Sequence, residues 1–242
     1  MKIRIAYVDE PPFYWTAPHG TVTGADIDLA ETVLRSCGAT DIEYLRVPFD
    51  ALLPGVQQGR WEMNVPIFIT PERALQVAFS RPVWALGDGF LVQAGNPKAL
   101  TSYSALAACA DARLGVIAGQ VQIASAKAAG VGDGQFTVFK DQPDAIAALQ
   151  TGKIDAFAAT AVGNHAAAQA HPGTQAVAHP AAQGAPAPRG AFSFAPNNST
   201  LREAVNGQLQ RYLGSADHRA RMASHGLSGA EIDGALLAPL PG

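Results

Sequence analysis

Along this chain, short apolar runs of strand length alternate with stretches in which apolar residues recur every three or four positions. Ile3–Val8 reads as a strand, and DEPPFYW after it as a loop, because paired prolines exclude both helix and central strand. Gly24-Ala25-Asp26 opens a helix that Asp26 caps, with Ile27, Ala30, Val33 and Leu34 on one face and Gly38 as its stop. Strand Ile42–Val47, short helix Phe49–Gln58 ended by Gly59, strand Asn64–Ile69 and helix Pro71–Val77 follow. Strand Phe90–Gln93 then runs into the break Ala94-Gly95-Asn96-Pro97. A second series begins with strand Arg113–Ile117, helix Val121–Ala129 and strand Gln135–Phe139. It continues with helix Asp144–Gln150, strand Ile154–Ala158 and helix Ala161–Ala170. Residues 171–190 are rich in Pro, Gly and Ala and read as an irregular connection. Phe192–Ala195 is a returning strand, followed by helices Leu201–Leu213 and Asp217–His225 and a small polar tail after Gly226.

The alternation predicts an α/β protein with mostly parallel sheets and helices on both faces. It also predicts two lobes, the second inserted into the first. Lobe 1 takes residues 1–93 and 191–242, lobe 2 takes residues 97–188, and the crossings lie near 93–97 and 188–192. In such sheets ligands bind at the carboxyl ends of strands, so the expected site is a cleft between the lobes.

Composition narrows the function. The 242 residues are nearly half apolar, enough for one large domain or two lobes of about 100 residues each. Charged residues make up only 15 %, the net charge is −3 and there is no basic run, which argues against a nucleic-acid partner. No apolar run approaches the roughly 20 residues needed to span a bilayer. MKIRIAYV reads as a strand rather than a signal peptide, so the expectation is either a cytoplasmic protein or one whose leader has been removed. Cys37 and Cys109 fall in different predicted lobes and read as free thiols, with no metal-type spacing around either. The six histidines read as surface residues, GDGF and GVGDGQ as turns rather than phosphate loops, and no nucleophile-elbow serine is present.

The chemistry concentrates in IFITPERALQVAFSRPVW, Ile67–Trp84. Phe68 precedes the turn, Pro71 stands at a helix start and Arg73 lies in the first helical turn, where a cation opposes the helix dipole and calls for an anion. Its guanidinium suits a carboxylate, and Phe68 supplies an apolar face beside it. A small zwitterionic or cation-plus-carboxylate ligand fits this pairing. Phe68 points opposite to Ile67 and Ile69 by strand alternation. Phe13 follows two prolines in a loop, a poor place for a core residue, while Trp84 beside Pro82 reads as hinge packing.

GADIDLA, LLPGVQQGR, ITPERALQVAFSRPV and GKIDAFAAT together resemble the signature segments of family 3 solute-binding proteins of ABC importers, over almost the whole chain. The resemblance implies a type II periplasmic-binding-protein fold, with two mixed sheets flanked by helices and joined by a two-crossing hinge that closes on a small ligand. It implies that Arg73 holds the ligand carboxylate, that ABC permease subunits are the partners, and that the protein works in the periplasm or outside the cell without cofactor or metal. Two departures stand out. Thr160 occupies the position where amino-acid binders of the family carry an aspartate for the α-ammonium, and Gly119-Gln120 replaces the usual glycine followed by a small or hydroxylated residue.

DEPPF, the phenylalanine of VPFDALLPG, IFITPER, GNPKALTSY with DARLGV, and DQPDAIAALQTGKIDA further resemble the ectoine and hydroxyectoine binders. That resemblance implies a site lined by Glu10, Phe13, Phe49, Phe68 and Arg73. The residue chemistry agrees: aromatic faces suit a flat, delocalised amidinium, Glu10 neutralises it and Arg73 takes the carboxylate. Gly119 permits close backbone approach, and the N–H groups of Gln120 or Val121 are expected to meet the carboxylate. Thr160, Asn164 and Gln120 are the candidate partners for a ligand hydroxyl. The alternatives are a binder of polar or modified amino acids, a dehydratase-type enzyme on the same fold with Glu10 as its acid, and the ligand-sensing domain of a receptor.

Overall fold

In the computed structural model, which describes residues 1–180 and 186–237, the chain divides into Met1–Leu86 with Pro186–Gly242 as one unit and Gly87–Ala185 as the other. The first unit is built on a six-stranded sheet. Lys2–Tyr7 pairs in parallel with Asp41–Arg46 and with Met63–Phe68, and the returning strand Arg189–Phe194 pairs antiparallel to Met63–Phe68. Met63–Phe68 is buried at every position, as expected of a strand covered on both faces. Pro66 cannot donate a ladder hydrogen bond, and the register with Arg189–Phe194 shifts opposite it. The Phe192 N–H of the partner strand donates instead to Ser80 Oγ, at 3.2 Å.

Two two-residue strands, Ala78–Phe79 and Trp84–Ala85, complete this sheet by pairing with Arg189–Phe194. Neither carries enough residues to show a period, so the sequence pattern had no sign of them. The helix predicted as Pro71–Val77 ends at Ala74, because Val77 leads into the first of these strands. Helix Ala25–Ser36 buries Ile27, Leu29, Ala30, Val33 and Leu34. Beyond Gly226 the expected polar tail is a helix, Gly229–Leu236, started by a reciprocal cap between Ser228 and Glu231.

The second unit has a five-stranded sheet in the order Phe136–Phe139, Leu114–Ile117, Ala156–Thr160, Asp88–Gln93, Thr174–Ala178. The first two pairings are parallel and the last two antiparallel. Two assignments change here. The strand expected in lobe 1 as Phe90–Gln93 is Asp88–Gln93, and its hydrogen bonds go to the second unit, so the chain crosses before it. Within the stretch read as irregular, Thr174–Ala178 is an edge strand that exists through its pairing with Asp88–Gln93. The core of this unit lies around Phe90, Val92, Leu106, Leu114, Val116 and Ala158. A helix absent from the prediction, Tyr103–Ala108, is capped by Ser102 and adds Tyr103 and Leu106 to that core. Cys37 and Cys109 are free thiols, one in each unit.

Candidate functional site

The loop DEPPF is held in shape by its own backbone. The Glu10 N–H donates to Tyr14 O at 2.8 Å and the Phe13 N–H to Glu10 O at 3.0 Å. Pro12 O and Phe13 O then accept from the N–H groups of Ala25 and Asp26, at 2.9 Å each. Loop carbonyls thereby satisfy the helix start that Asp26 was expected to cap. Gly24 precedes the helix at φ 131°, and a Cβ there would come closer than 3.0 Å to Phe13 O. Asp26 is instead fully buried, and both of its carboxylate oxygens accept from Trp84 Nε1–H, at 3.1 and 3.3 Å.

Trp84 is the second residue whose expected role changes. Its ring lies 5.1 Å from Phe68 at an interplanar angle of 80°, and 6.1 Å from Phe13 at 40°. It is therefore the piece that joins the two phenylalanines. An edge-to-face pair such as Trp84–Phe68 contributes about 0.5–1.5 kcal/mol beyond burial. Gly190 lies beneath the indole, where a Cβ would meet the six-membered ring at under 3.0 Å.

Arg73 is positioned by the strand-to-helix turn. Thr70 Oγ1 accepts from the Arg73 N–H at 3.2 Å and Pro71 takes the first helical position. The guanidinium folds back so that Nη1 donates to Phe68 O at 2.8 Å, and Cζ lies 5.3 Å from the centroid of the Phe49 ring. Phe49 stands in a single helical turn after Pro48 and is half-buried. Arg73 itself is only 7 % exposed, and burial lowers its pKa to about 10, which leaves it a cation at neutral pH. Glu10 is buried as well, and its charge helps hold the Tyr14 hydroxyl well above the usual range, after burial itself. A single run of contacts thus links Glu10, Phe13, Trp84, Phe68, Arg73 and Phe49 within the first unit.

In the second unit, Leu114–Ile117 and Ala156–Thr160 run parallel, so Gly119-Gln120 and Thr160 lie at the same carboxyl edge of the sheet. Gly119 takes φ 79°. The Gln120 N–H, expected to point at a carboxylate, donates to Ile117 O at 3.2 Å. Thr160 caps helix Ala161–Ala170, its hydroxyl accepting from the Gly163 N–H at 3.0 Å. Asn164, one turn on, is fully buried. Directly across from Thr160 stands Asp88. Its two oxygens accept from Tyr103 Oη and Gln122 Nε2, each at 2.8 Å, and burial raises its pKa. GDGF, expected as a turn, opens strand Asp88–Gln93, and the acid just ahead of the apolar run Phe90, Leu91 and Val92 was the available signal for Asp88.

The profile of the bacterial extracellular solute-binding proteins, family 3, matches residues 3–215. The chain belongs to that family. As a family 3 binding protein it has the type II periplasmic-binding fold of mixed α/β units. It is 30 % identical over 234 residues to a probable amino-acid ABC transporter periplasmic-binding protein of Sinorhizobium fredii, covering 93 % of this chain and 76 % of that one. The crystal structure of EhuB in complex with hydroxyectoine superposes with a TM-score of 0.87 at 28 % identity, covering 98 % of this chain and 91 % of EhuB. An ancestral arginine-binding protein bound to glutamine superposes at 0.81 with 26 % identity, covering 93 % and 97 %. An ancestral amino-acid-binding protein described as a precursor of cyclohexadienyl dehydratase shares the fold at 24 % identity and a TM-score of 0.78, covering 93 % and 94 %. The protein is thus a binding protein of an ABC amino-acid importer family, and no helix among its described residues is long and apolar enough to cross a membrane.

Proposed function

We propose that this binding protein captures a small cyclic zwitterion of the ectoine class, outside the cytoplasmic membrane, and delivers it to an ABC permease. The observation that supports the reading is the buried Arg73 guanidinium, fixed by Phe68 O and the Phe49 ring, in one run of contacts with Trp84, Phe13 and the loop of the buried acid Glu10. In this reading Arg73 pairs with the ligand carboxylate, Glu10 with the amidinium N–H groups, and the rings face the delocalised charge. Each desolvated cation–π contact contributes about 0.5–2 kcal/mol toward the roughly −8 kcal/mol that micromolar affinity requires. Gly119, Gln120 and Thr160 are the second unit's proposed contributions, Thr160 as partner for a ligand hydroxyl. Thr160 in place of the family's aspartate supports a ligand without a free α-ammonium, since a buried unpaired ammonium costs several kcal/mol.

The second reading is a polar α-amino acid. Asp88 favours it, because it offers a carboxylate across the strand pair from Thr160. Both Asp88 oxygens already accept hydrogen bonds, which weighs against its serving an ammonium.

A thermal-shift panel of ectoine, hydroxyectoine, L-arginine and L-glutamine decides between the two. Stabilisation grows as RT ln(1 + [L]/Kd), about 2.7 kcal/mol at a hundredfold excess over Kd. Ectoine or hydroxyectoine is expected to raise Tm, and Arg73→Ala to abolish the shift. A shift with an amino acid and none with millimolar ectoine refutes the first reading.

A further inference from the structure

Asp26 takes no part in the ligand grip described above, yet it is fully buried and touches two elements that carry the grip. Its N–H donates to Phe13 O at 2.9 Å, which anchors the loop bearing Glu10 and Phe13. Its carboxylate accepts the Trp84 indole N–H, and Trp84 is the ring on which Phe13 and Phe68 both rest. Gly190 closes the other side of the indole, so Trp84 has no space to shift toward the strand. Phe68 in turn presents the carbonyl that holds Arg73 Nη1. One side chain therefore fixes the indole that fixes both ring faces.

We infer that Asp26 is a positioning residue of the ligand site: through Trp84 it sets the planes of Phe68 and Phe13, and so the preference for a flat, delocalised cation over a compact ammonium. The inference rests on reading the Phe13–Phe68–Arg73 constellation as the ligand site. Attraction to a ring depends on the cation lying over its face. A tilted ring therefore penalises a flat amidinium, while a ligand held by Arg73 alone loses little.

The test compares Asp26→Asn with Asp26→Ala in the full chain. Asparagine keeps an acceptor oxygen for the indole N–H and nearly the same shape; alanine removes the acceptor. The Asp26→Leu/Trp84→Phe pair removes the hydrogen bond without stranding a buried polar atom, and serves if the alanine variant does not fold. Each variant is titrated calorimetrically with ectoine and with L-glutamine, whose only cation is a compact α-ammonium. The near-UV circular dichroism of the free protein is also recorded, with the Trp84 contribution defined by Trp84→Phe.

Asp26→Asn is expected to keep the Trp84 signal and to bind ectoine within about threefold of the wild type. Asp26→Ala is expected to lose that signal, and Asp26→Ala or the double variant to weaken ectoine at least about tenfold, more than any change toward L-glutamine. Unchanged ectoine affinity in folded Asp26→Ala or the double variant overturns the inference, as does an equal loss in Asp26→Asn. If the wild type binds no ectoine, the ligand reading fails by itself. The dichroism still decides the positioning role: recovery in asparagine after loss in alanine supports it, and an unchanged signal in alanine overturns it.

Discussion

Replacing Gly190 with alanine tests the packing beneath Trp84 with a single methyl group. Gly190 is in a strand, paired with Phe68 and Trp84, in a conformation any residue adopts, so alanine meets no backbone strain there. Its lower unfolded-state entropy would by itself stabilise the fold by about 0.4–1 kcal/mol. The new Cβ, however, lies within 3.0 Å of three carbons of the Trp84 six-membered ring. The indole cannot easily yield, because Asp26 holds its N–H and Phe68 packs against it at 5.1 Å. Overpacking of this kind costs about 1–3 kcal/mol, so the net expected loss is about 1–2 kcal/mol, or roughly 2–8 °C in Tm for a chain of this size. Gly207→Ala is the matched control. Gly207 stands inside helix Ser199–Tyr212 with nothing within 4 Å of an added Cβ, and the same substitution there is expected to stabilise by about 0.5–1 kcal/mol. Calorimetric melting of the two variants checks the signs. A Gly190→Ala variant as stable as the wild type, with the near-UV signal of Trp84 intact, refutes the packing argument.

The remaining expectations concern buried polar groups. Burial raises the Asp26 pKa, so the folded state resists ionisation that the unfolded chain undergoes above pH 3.8, and the penalty grows as pH rises. The Tm gain of Asp26→Asn over the wild type is therefore expected to be larger at pH 8 than at pH 4.5, and melts at the two values check it. His218, expected at the surface, is fully buried in the fold, accepts the Gly214 N–H through Nδ1 and has a pKa lowered to about 4, chiefly by burial and next by Arg219. Its folded pKa lies below the ordinary value of 6.5, so stability is full above that pH and falls as the pH drops toward 4; His218→Asn is expected to flatten this part of the stability profile. Asn64 is fully buried, accepts from Trp61 Nε1 at 2.6 Å and donates to Leu52 O and Ser193 Oγ, both at 3.0 Å. Asn64→Ala strands those groups and is expected to cost about 3 kcal/mol in urea unfolding, with the double variant Asn64→Ala/Trp61→Phe recovering part of it.

The sequence by itself determined the family, the alternation of strands and helices, and the turn that carries Arg73. These signals are local: Pro71 at the first helical position and Arg73 two residues on are legible within one helical turn. It also grouped Glu10, Phe13, Phe49 and Phe68 with Arg73, though only through the resemblance of whole segments. The Ser228–Glu231 cap is an equally local signal and marks the start of the last described helix. What only the tertiary structure decided depends on partners far along the chain. Asp26 looked like a helix cap until Trp84, 58 residues away, supplied an indole N–H for its carboxylate. Thr174–Ala178 has no strand pattern of its own and becomes a strand through the ladder offered by Asp88–Gln93, which itself belongs with the second unit for the same reason. Cap, turn and period act over a few residues. Which polar group is buried, and which short segment completes a sheet, is set by desolvation and hydrogen bonding to distant neighbours that one-dimensional spacing does not encode.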